Sequence, residues 1–222
     1  MISALRIGRA KWVTGFLALI GMIATSAAAQ TTSEASMSRN DLVKALQDGG
    51  LIMFMRHERT EVPSRSDDYS APAECRKQRN LSLAGAAGAQ ETGVVLRAVG
   101  IEVDRIITSP MCRAAETARF MFGARYETDM RLMHHDPNGE RNMDIATSEA
   151  RDLLADLDPI ELGGNVMLIG HGGTVRRISG LSLSEGGIAI LRLSEGDEVI
   201  TLGHFMGSDL APLARQNLQI RE

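Results

Sequence analysis

The sequence is poor in aromatic side chains: one Trp, two Tyr and five Phe make up 4% of its 222 residues. Stacking platforms for sugars or bases need flat side chains in series, so this composition argues against both. No basic block is present either. Lys and Arg number 24 against 28 Asp and Glu, a net charge of −4, which lacks the electrostatic footprint of a nucleic-acid partner. There is no "GxSxG" stretch, which disfavours a serine hydrolase. Internal repeats, heptads and low-complexity tracts are also missing. Cysteine is limited to Cys75 and Cys112. A structural zinc site wants four clustered ligands, which this pair cannot supply, whereas an even count in an exported chain permits one disulfide. Two free, buried thiols is the other reading.

One long apolar run occurs, and it is at the start. Arg6, Arg9 and Lys11 precede "WVTGFLALIGMIATSAAA", the 18 residues from Trp12 to Ala29. Ala27 and Ala29 give the small-x-small pattern of a cleavage site, so residues 1–29 read as a signal peptide cut after Ala29. An uncleaved anchor is the alternative, since the run lies near the lower limit of a membrane span. The expectation is a periplasmic or secreted protein that meets the membrane only through this segment. Removing 29 of 222 residues leaves 193, enough for one substantial core and too few for two domains. Removing three of the 24 basic residues leaves 21 against 28 acidic ones, a charge of −7.

Helix and strand signals alternate through the rest. Residues 30–50 are a small polar tether, "QTTSEASM", followed by a helix with Ser38 or Asn40 as cap, Leu42, Val43 and Leu46 at helical spacing, and a Gly49-Gly50 stop. The main domain spans 51–222. It opens with "LIMFMRHERT", in which five apolar residues run into Arg56 and His57, as in a buried strand that ends in charge. Residues 59–80 carry Pro, Ser and charge without period, and long loops of this kind in compact domains are usually functional or disordered. Ser82 caps a helix that Gly100 ends, "VDRIITS" is a second strand, and Pro110 opens the helix "MCRAAETARFMF". Residues 125–142 are poorly patterned. "IATSEARDLLADL" is a further helix, "NVMLIGH" (165–171) a third apolar strand, and "GIAILRL" and "EVITLGHF" flank "SEGD" as a hairpin. The alternation implies an α/β fold in three layers, a mostly parallel sheet with helices on both faces.

Three strand ends share one grammar, an apolar run followed by a cation or an imidazole: Arg56-His57, "TSPMCR" with Arg113, and "GHGG" with His171. In a sheet of this class, ligands bind beyond the carboxyl ends of the strands. Two arginines, two histidines and a helix amino terminus at Met111–Arg113 facing one crevice would repel one another without an anion. Guanidinium forks and helix amino ends both suit phosphate.

The stretches "FMRHERT", "QRNLSLAGAAGAQETG", "IITSPMCRAAETA" and "VMLIGHGGTV" resemble the successive signatures of the histidine phosphatase superfamily, also called phosphoglycerate mutase-like, over about residues 51–180. More narrowly they resemble its small exported phosphatase branch. The resemblance implies a metal-independent phosphomonoesterase that needs no cofactor and forms a phosphohistidine. His57 matches the nucleophile, Arg56 and Arg113 the arginines that hold the phosphate, and His171 the second pocket histidine. Arg79 and Asn80 sit where relatives often place a further phosphate contact; a cap network ahead of Ser82 is the alternative for these two. The substrate implied is a small phosphomonoester or a phosphorylated envelope component.

Two departures stand out. Relatives usually have glycine after the nucleophile, where this chain has Glu58; its side chain is expected to face solvent. The proton donor is not marked: one branch of the family has an acid where this chain has His134, another an acid where it has Gly172. His134 could serve, since imidazolium suits general acid work near neutral pH. Asp136 and Glu61 are the other candidates. The rival readings are a catalytically inactive phosphate-binding protein on the same fold and a metal-dependent hydrolase built on His134, His135, Asp136 and His171.

Overall fold

The structure, a computed structural model, describes residues 36–62, 67–134, 142–157, 163–194 and 198–219. The expected signal segment and most of the tether lie outside the described residues, as does the turn at 195–197. Six strands form one sheet: β1 (Ile52–Arg56), β2 (Val103–Thr108), β3 (Glu127–Thr128), β4 (Asn165–Gly170), β5 (Gly187–Leu193) and β6 (Val199–Met206). Their order is β3-β2-β4-β1-β5-β6. The pairs β1–β4, β2–β4 and β2–β3 are parallel, while β5 is antiparallel to both its neighbours. Only β5 therefore runs against the rest, and β5–β6 is the hairpin expected from the sequence.

Helices α1 (Arg39–Asp48), α2 (Leu83–Ala98), α3 (Cys112–Phe122), α4 (Met143–Ala155), α5 (Gly172–Ser179) and α6 (Ala211–Gln219) cover both faces. The two-sided burial is written into β1. Met53 and Met55 join a core with Leu42, Leu46, Leu96, Ala118 and Met121, from α1, α2 and α3. Ile52 and Phe54 point the other way, into a core with Leu153, Leu154, Val175 and Ile178 of α4 and α5. A strand buried on both faces reads as a continuous apolar run, since neither set of alternate side chains meets water.

Local chemistry sets the helix ends. The Ser38 side chain accepts from Asp41 N–H to start α1, and Ser82 accepts from Gly85 N–H to start α2. Close contact of α2 with α3 depends on Gly93, where a Cβ would stand 2.3 Å from the Met121 carbonyl oxygen. Pro110 lies just outside α3: Met111 is the cap and the helix begins at Cys112. No pattern in the sequence marks β3, α5 or α6. The first is two residues long, and α5 opens on two glycines and spans eight residues, too few for a 3.6-residue period to emerge.

Buried Asn165 ties the sheet together at the end opposite to the strand ends of interest. Its Oδ1 accepts from Leu51 N–H at 3.2 Å, and its Nδ2 donates to the carbonyls of Leu46 at 2.7 Å and Glu102 at 2.8 Å. Cys75 and Cys112, left open by the sequence, are joined in a disulfide. Among the described residues no helix is long and apolar enough to cross a membrane.

Candidate active site

The strand order explains why residues far apart in sequence meet. β4 lies between β2 and β1, with Arg56 opposite Gly170 and Thr108 opposite Ile169. Pairing continues one step past the ends, His57 N–H to the Gly170 carbonyl at 3.0 Å and Ser109 N–H to the Ile169 carbonyl at 2.9 Å. Arg56, His57, Arg79, Arg113, His134 and His171 consequently line one cavity of about 340 Å³, together with Tyr69, Gly172 and Gly173. The rings of His57 and His171 are 5.5 Å apart, centroid to centroid, and Arg113 Nη2 is 3.5 Å from His171 Nδ1.

His57 is buried, and its Nδ1 lies 2.8 Å from the Glu58 carbonyl oxygen. A carbonyl only accepts, so Nδ1 carries the proton and Nε2 keeps its lone pair. Burial, and then the Arg113 charge, drive the His57 pKa down to about 3, with Arg56 and Arg79 adding to the fall and the Glu58 carbonyl opposing it. The ring is neutral across the ordinary pH range. Residue 58 is fixed in turn: its N–H donates to Thr117 Oγ1 at 3.1 Å, and that hydroxyl donates to the Arg113 carbonyl at 2.7 Å.

The Glu58 side chain does not face solvent as expected but is 3% exposed. It turns away from the cavity and accepts from Arg59 N–H at 3.1 Å, with Arg59 Nε at 3.5 Å. Room for it comes from two glycines: a Cβ on Gly88 or Gly186 would lie 2.9 or 2.5 Å from its Oε1. Burial pushes its pKa up, partly offset by the Arg59 N–H and charge. A carboxylate placed there does not repel a bound phosphate as one inside the cavity would.

Arg113 is 1% exposed and is pinned from behind by Asp67, Nη1 to Oδ1, at 3.0 Å. Burial lowers its pKa and the Asp67 charge pulls it back up. Arg56 Nη1 donates to the Leu183 carbonyl at 3.0 Å, and Glu185 lies 3.6 Å from its Nη2. Among the described residues, the Nε groups of Arg56, Arg79 and Arg113 are all buried without an acceptor. Three unmet cationic donors around one cavity match the acceptor-only oxygens of an oxyanion. The helix amino end that serves the cavity is not the one expected. At α3, Met111 N–H goes to Ser109 Oγ and Cys112 N–H to Gln78 Oε1. It is Gly172 and Gly173, in the first turn of α5, that line the cavity. Gly172 also makes space for Arg56, whose Nε would stand 3.0 Å from a Cβ there.

His171 Nε2 is 2.9 Å from Ser109 Oγ. A guanidinium only donates, so Nδ1 accepts from Arg113 Nη2 and the ring proton sits on Nε2, from which it is donated to the Ser109 hydroxyl. The His134 ring centroid is 4.1 Å from that of His171 and 5.4 Å from that of Tyr69. Arg79 joins the cavity but Asn80 is not in its lining, and its Nδ2 donates to the Cys75 carbonyl at 2.8 Å. Glu61 is exposed and not in the lining. His135 and Asp136 lie outside the described residues. Two residues escaped the sequence reading, Asp67 and Tyr69. The length of the loop at 59–80 allows a functional or a disordered segment, neither residue sits in a motif, and only folding places Asp67 behind Arg113 and the Tyr69 hydroxyl 3.1 Å from Asp67 Oδ2.

No protein-family profile and no curated sequence matches this chain. Solved structures do. The protein histidine phosphatase SixA, complexed with tungstate, is 18% identical, with a TM-score of 0.51 over 72% of this chain and 99% of its own. A mycobacterial glucosyl-3-phosphoglycerate phosphatase with inorganic phosphate is 17% identical, with a TM-score of 0.53 over 71% of this chain and 98% of its own. Bacillus stearothermophilus YhfR is 21% identical, with a TM-score of 0.51 over 68% of this chain and 94% of its own. This chain shares the fold of these solved structures, a phosphoglycerate mutase-like α/β fold.

Proposed function

We propose that the protein is a metal-independent phosphomonoesterase that works through a phosphohistidine at His57. The observation that carries this reading is the state of that ring. It is neutral, its Nδ1 is tied to a carbonyl, and its Nε2 is free to attack among guanidinium groups whose Nε donors lack acceptors. Arg56, Arg79 and Arg113 hold the phosphate oxygens and balance the charge of the transition state. His57 Nε2 forms the N–P bond as the ester P–O bond breaks, and the alcohol leaves with a proton. Water then attacks phosphorus, the N–P bond breaks, and His57 returns to its neutral form with phosphate released. His171 Nδ1 accepts from Arg113 Nη2 and so steadies that guanidinium against the phosphate. We assign the proton donor to His134, the lining imidazole that stacks beside His171.

Among the described residues no carboxylate lines the cavity, and this favours a second reading, a phosphate-binding protein without turnover. An aryl phosphate separates the two. The first reading expects turnover and an acid-labile phosphoenzyme, both lost in His57→Ala. Turnover that persists in His57→Ala refutes it, and phosphate-analogue binding without turnover selects the second.

We further propose that the protein works outside the cytoplasm, after removal of residues 1–29. The basic-apolar-small sequence of that segment supports export, and so does the disulfide, which persists in oxidising compartments. The substrate is then a small phosphomonoester or an envelope phosphate.

A further inference from the structure

The segment 67–80 brings Tyr69 and Arg79 to the cavity, and Asp67 to Arg113. Burial does little to hold it. Gln78 is its one fully buried residue, and none of its side chains belongs to either apolar core. Its ties to the body of the protein are polar and covalent. Gln78 Oε1 accepts from Cys112 N–H at 3.0 Å while its Nε2 holds the Ala71 and Pro72 carbonyls. Asp67 takes Arg113, and the disulfide joins Cys75 to Cys112, the first residue of α3 and the neighbour of Arg113 in the chain.

We propose that the Cys75–Cys112 disulfide is a positioning device for the phosphate site, which is complete only while that bond is formed. The inference rests on the reading of the cavity as a phosphate site. Cys112 is buried on a helix anchored by Ala114, Ala118 and Met121, so it is the fixed end. Cys75 is half-buried in a single turn, Cys75–Lys77, that buries no side chain, so it is the end that moves. Segments with few buried apolar contacts open at low cost in free energy. With the bond broken, Arg79 and Tyr69 leave the cavity and Arg113 loses its carboxylate. Arg56, His57, Arg113 and His171 stay, because strand pairing and the two cores hold them.

The redox step balances with a dithiol as co-reactant. The dithiol gives two electrons and two protons, the disulfide becomes two thiols, and the dithiol becomes a disulfide. Closure runs in reverse, the two thiols passing electrons and protons to an acceptor disulfide. A chain exported as proposed above passes through the reducing cytosol with Arg79 unplaced and gains full affinity for phosphate esters only outside, where the bond persists.

The test compares oxidised protein with protein reduced by dithiothreitol, reading KM and kcat for p-nitrophenyl phosphate, Kd for tungstate, free thiols and far-UV circular dichroism. Reduction is expected to raise both KM and the tungstate Kd roughly ten- to hundredfold, the worth of a charge-assisted hydrogen bond from Arg79, with a smaller change in kcat and no change in helix content. The double variant Cys75→Ser/Cys112→Ser should match the reduced protein and ignore reductant. Arg79→Ala, oxidised, should already be weakened, and reduction should add little. Two titrated thiols with unchanged KM and Kd would overturn the proposal. Global unfolding on reduction would overturn it too, since the bond would then hold the fold and not the site. Absence of turnover in the oxidised protein defeats only the phosphatase reading, because tungstate affinity still decides the role of the disulfide.

Discussion

Replacing Asp67 with Asn removes one negative charge from behind Arg113 and changes almost nothing in shape. In the wild type the carboxylate is 8% exposed and the guanidinium 1%, with Nη1 and Oδ1 3.0 Å apart. Asp67 Oδ1 also accepts from Arg79 N–H at 2.8 Å, and Oδ2 accepts from the Tyr69 hydroxyl at 3.1 Å. Asn retains a carbonyl oxygen for the Arg79 N–H, and the disulfide keeps the segment attached, so the charge is the main loss. Breaking one side of a buried ion pair costs about 3–5 kcal/mol, because the remaining charge is left without a partner. Taking the lower value, since the amide still accepts one hydrogen bond, and about 2–4 °C per kcal/mol for a domain of this size, Tm should fall by about 6–12 °C. A bound oxyanion supplies the missing negative charge, so tungstate should raise Tm more in Asp67→Asn than in the wild type. Thermal unfolding followed by circular dichroism, with and without saturating tungstate, measures both quantities. An unchanged Tm, or an equal tungstate effect in the two proteins, would show that Asp67 does not compensate Arg113.

His57 gives a pH signature in stability. Its pKa is about 3 in the fold against 6.5 for a free imidazole side chain, so between those values the unfolded chain binds a proton that the native protein refuses. Stability from this ring is full above pH 6.5 and falls by about 1.4 kcal/mol per pH unit on acidification through that window. Urea titrations from pH 7 to 4 should show a shallower acid loss in His57→Gln, and parallel curves would refute the assignment. Asn165→Ala removes three hydrogen bonds and leaves the Leu51 amide and the Leu46 carbonyl short of a partner, while the Glu102 carbonyl keeps the N–H of residue 165. The expected cost is about 3 kcal/mol in urea denaturation, with tungstate affinity unchanged because the residue lies at the far end of the sheet. An imidazole donor in place of a carboxylic acid should favour esters with good leaving groups. His134→Ala should slow alkyl phosphate hydrolysis far more than p-nitrophenyl phosphate hydrolysis, and an equal loss on both substrates would remove His134 as the donor.

Much of this protein is written locally. Ser38 and Ser82 announce their helices because a hydroxyl that accepts an N–H is a short-range device, and "LIMFM" and "NVMLIG" announce central strands because burial on both faces leaves no polar alternation. Arg56, His57, Arg113 and His171 were readable as one group because each follows an apolar run, and parallel strands deliver their carboxyl ends to a common edge. What the sequence could not decide depends on contacts between distant segments. Glu58 looked solvent-bound, and only Gly88 and Gly186, which come from other parts of the chain, open the crevice that buries it. Asn80 looked like Arg79 in the chain, yet one side chain reaches the cavity and the other donates to the Cys75 carbonyl. Asp67 carries no motif, and Cys75 and Cys112 permitted two outcomes. Composition and period record what each residue prefers, whereas the pairing of Asp67 with Arg113 and of one sulfur with the other is set by which loop the folded sheet brings against α3.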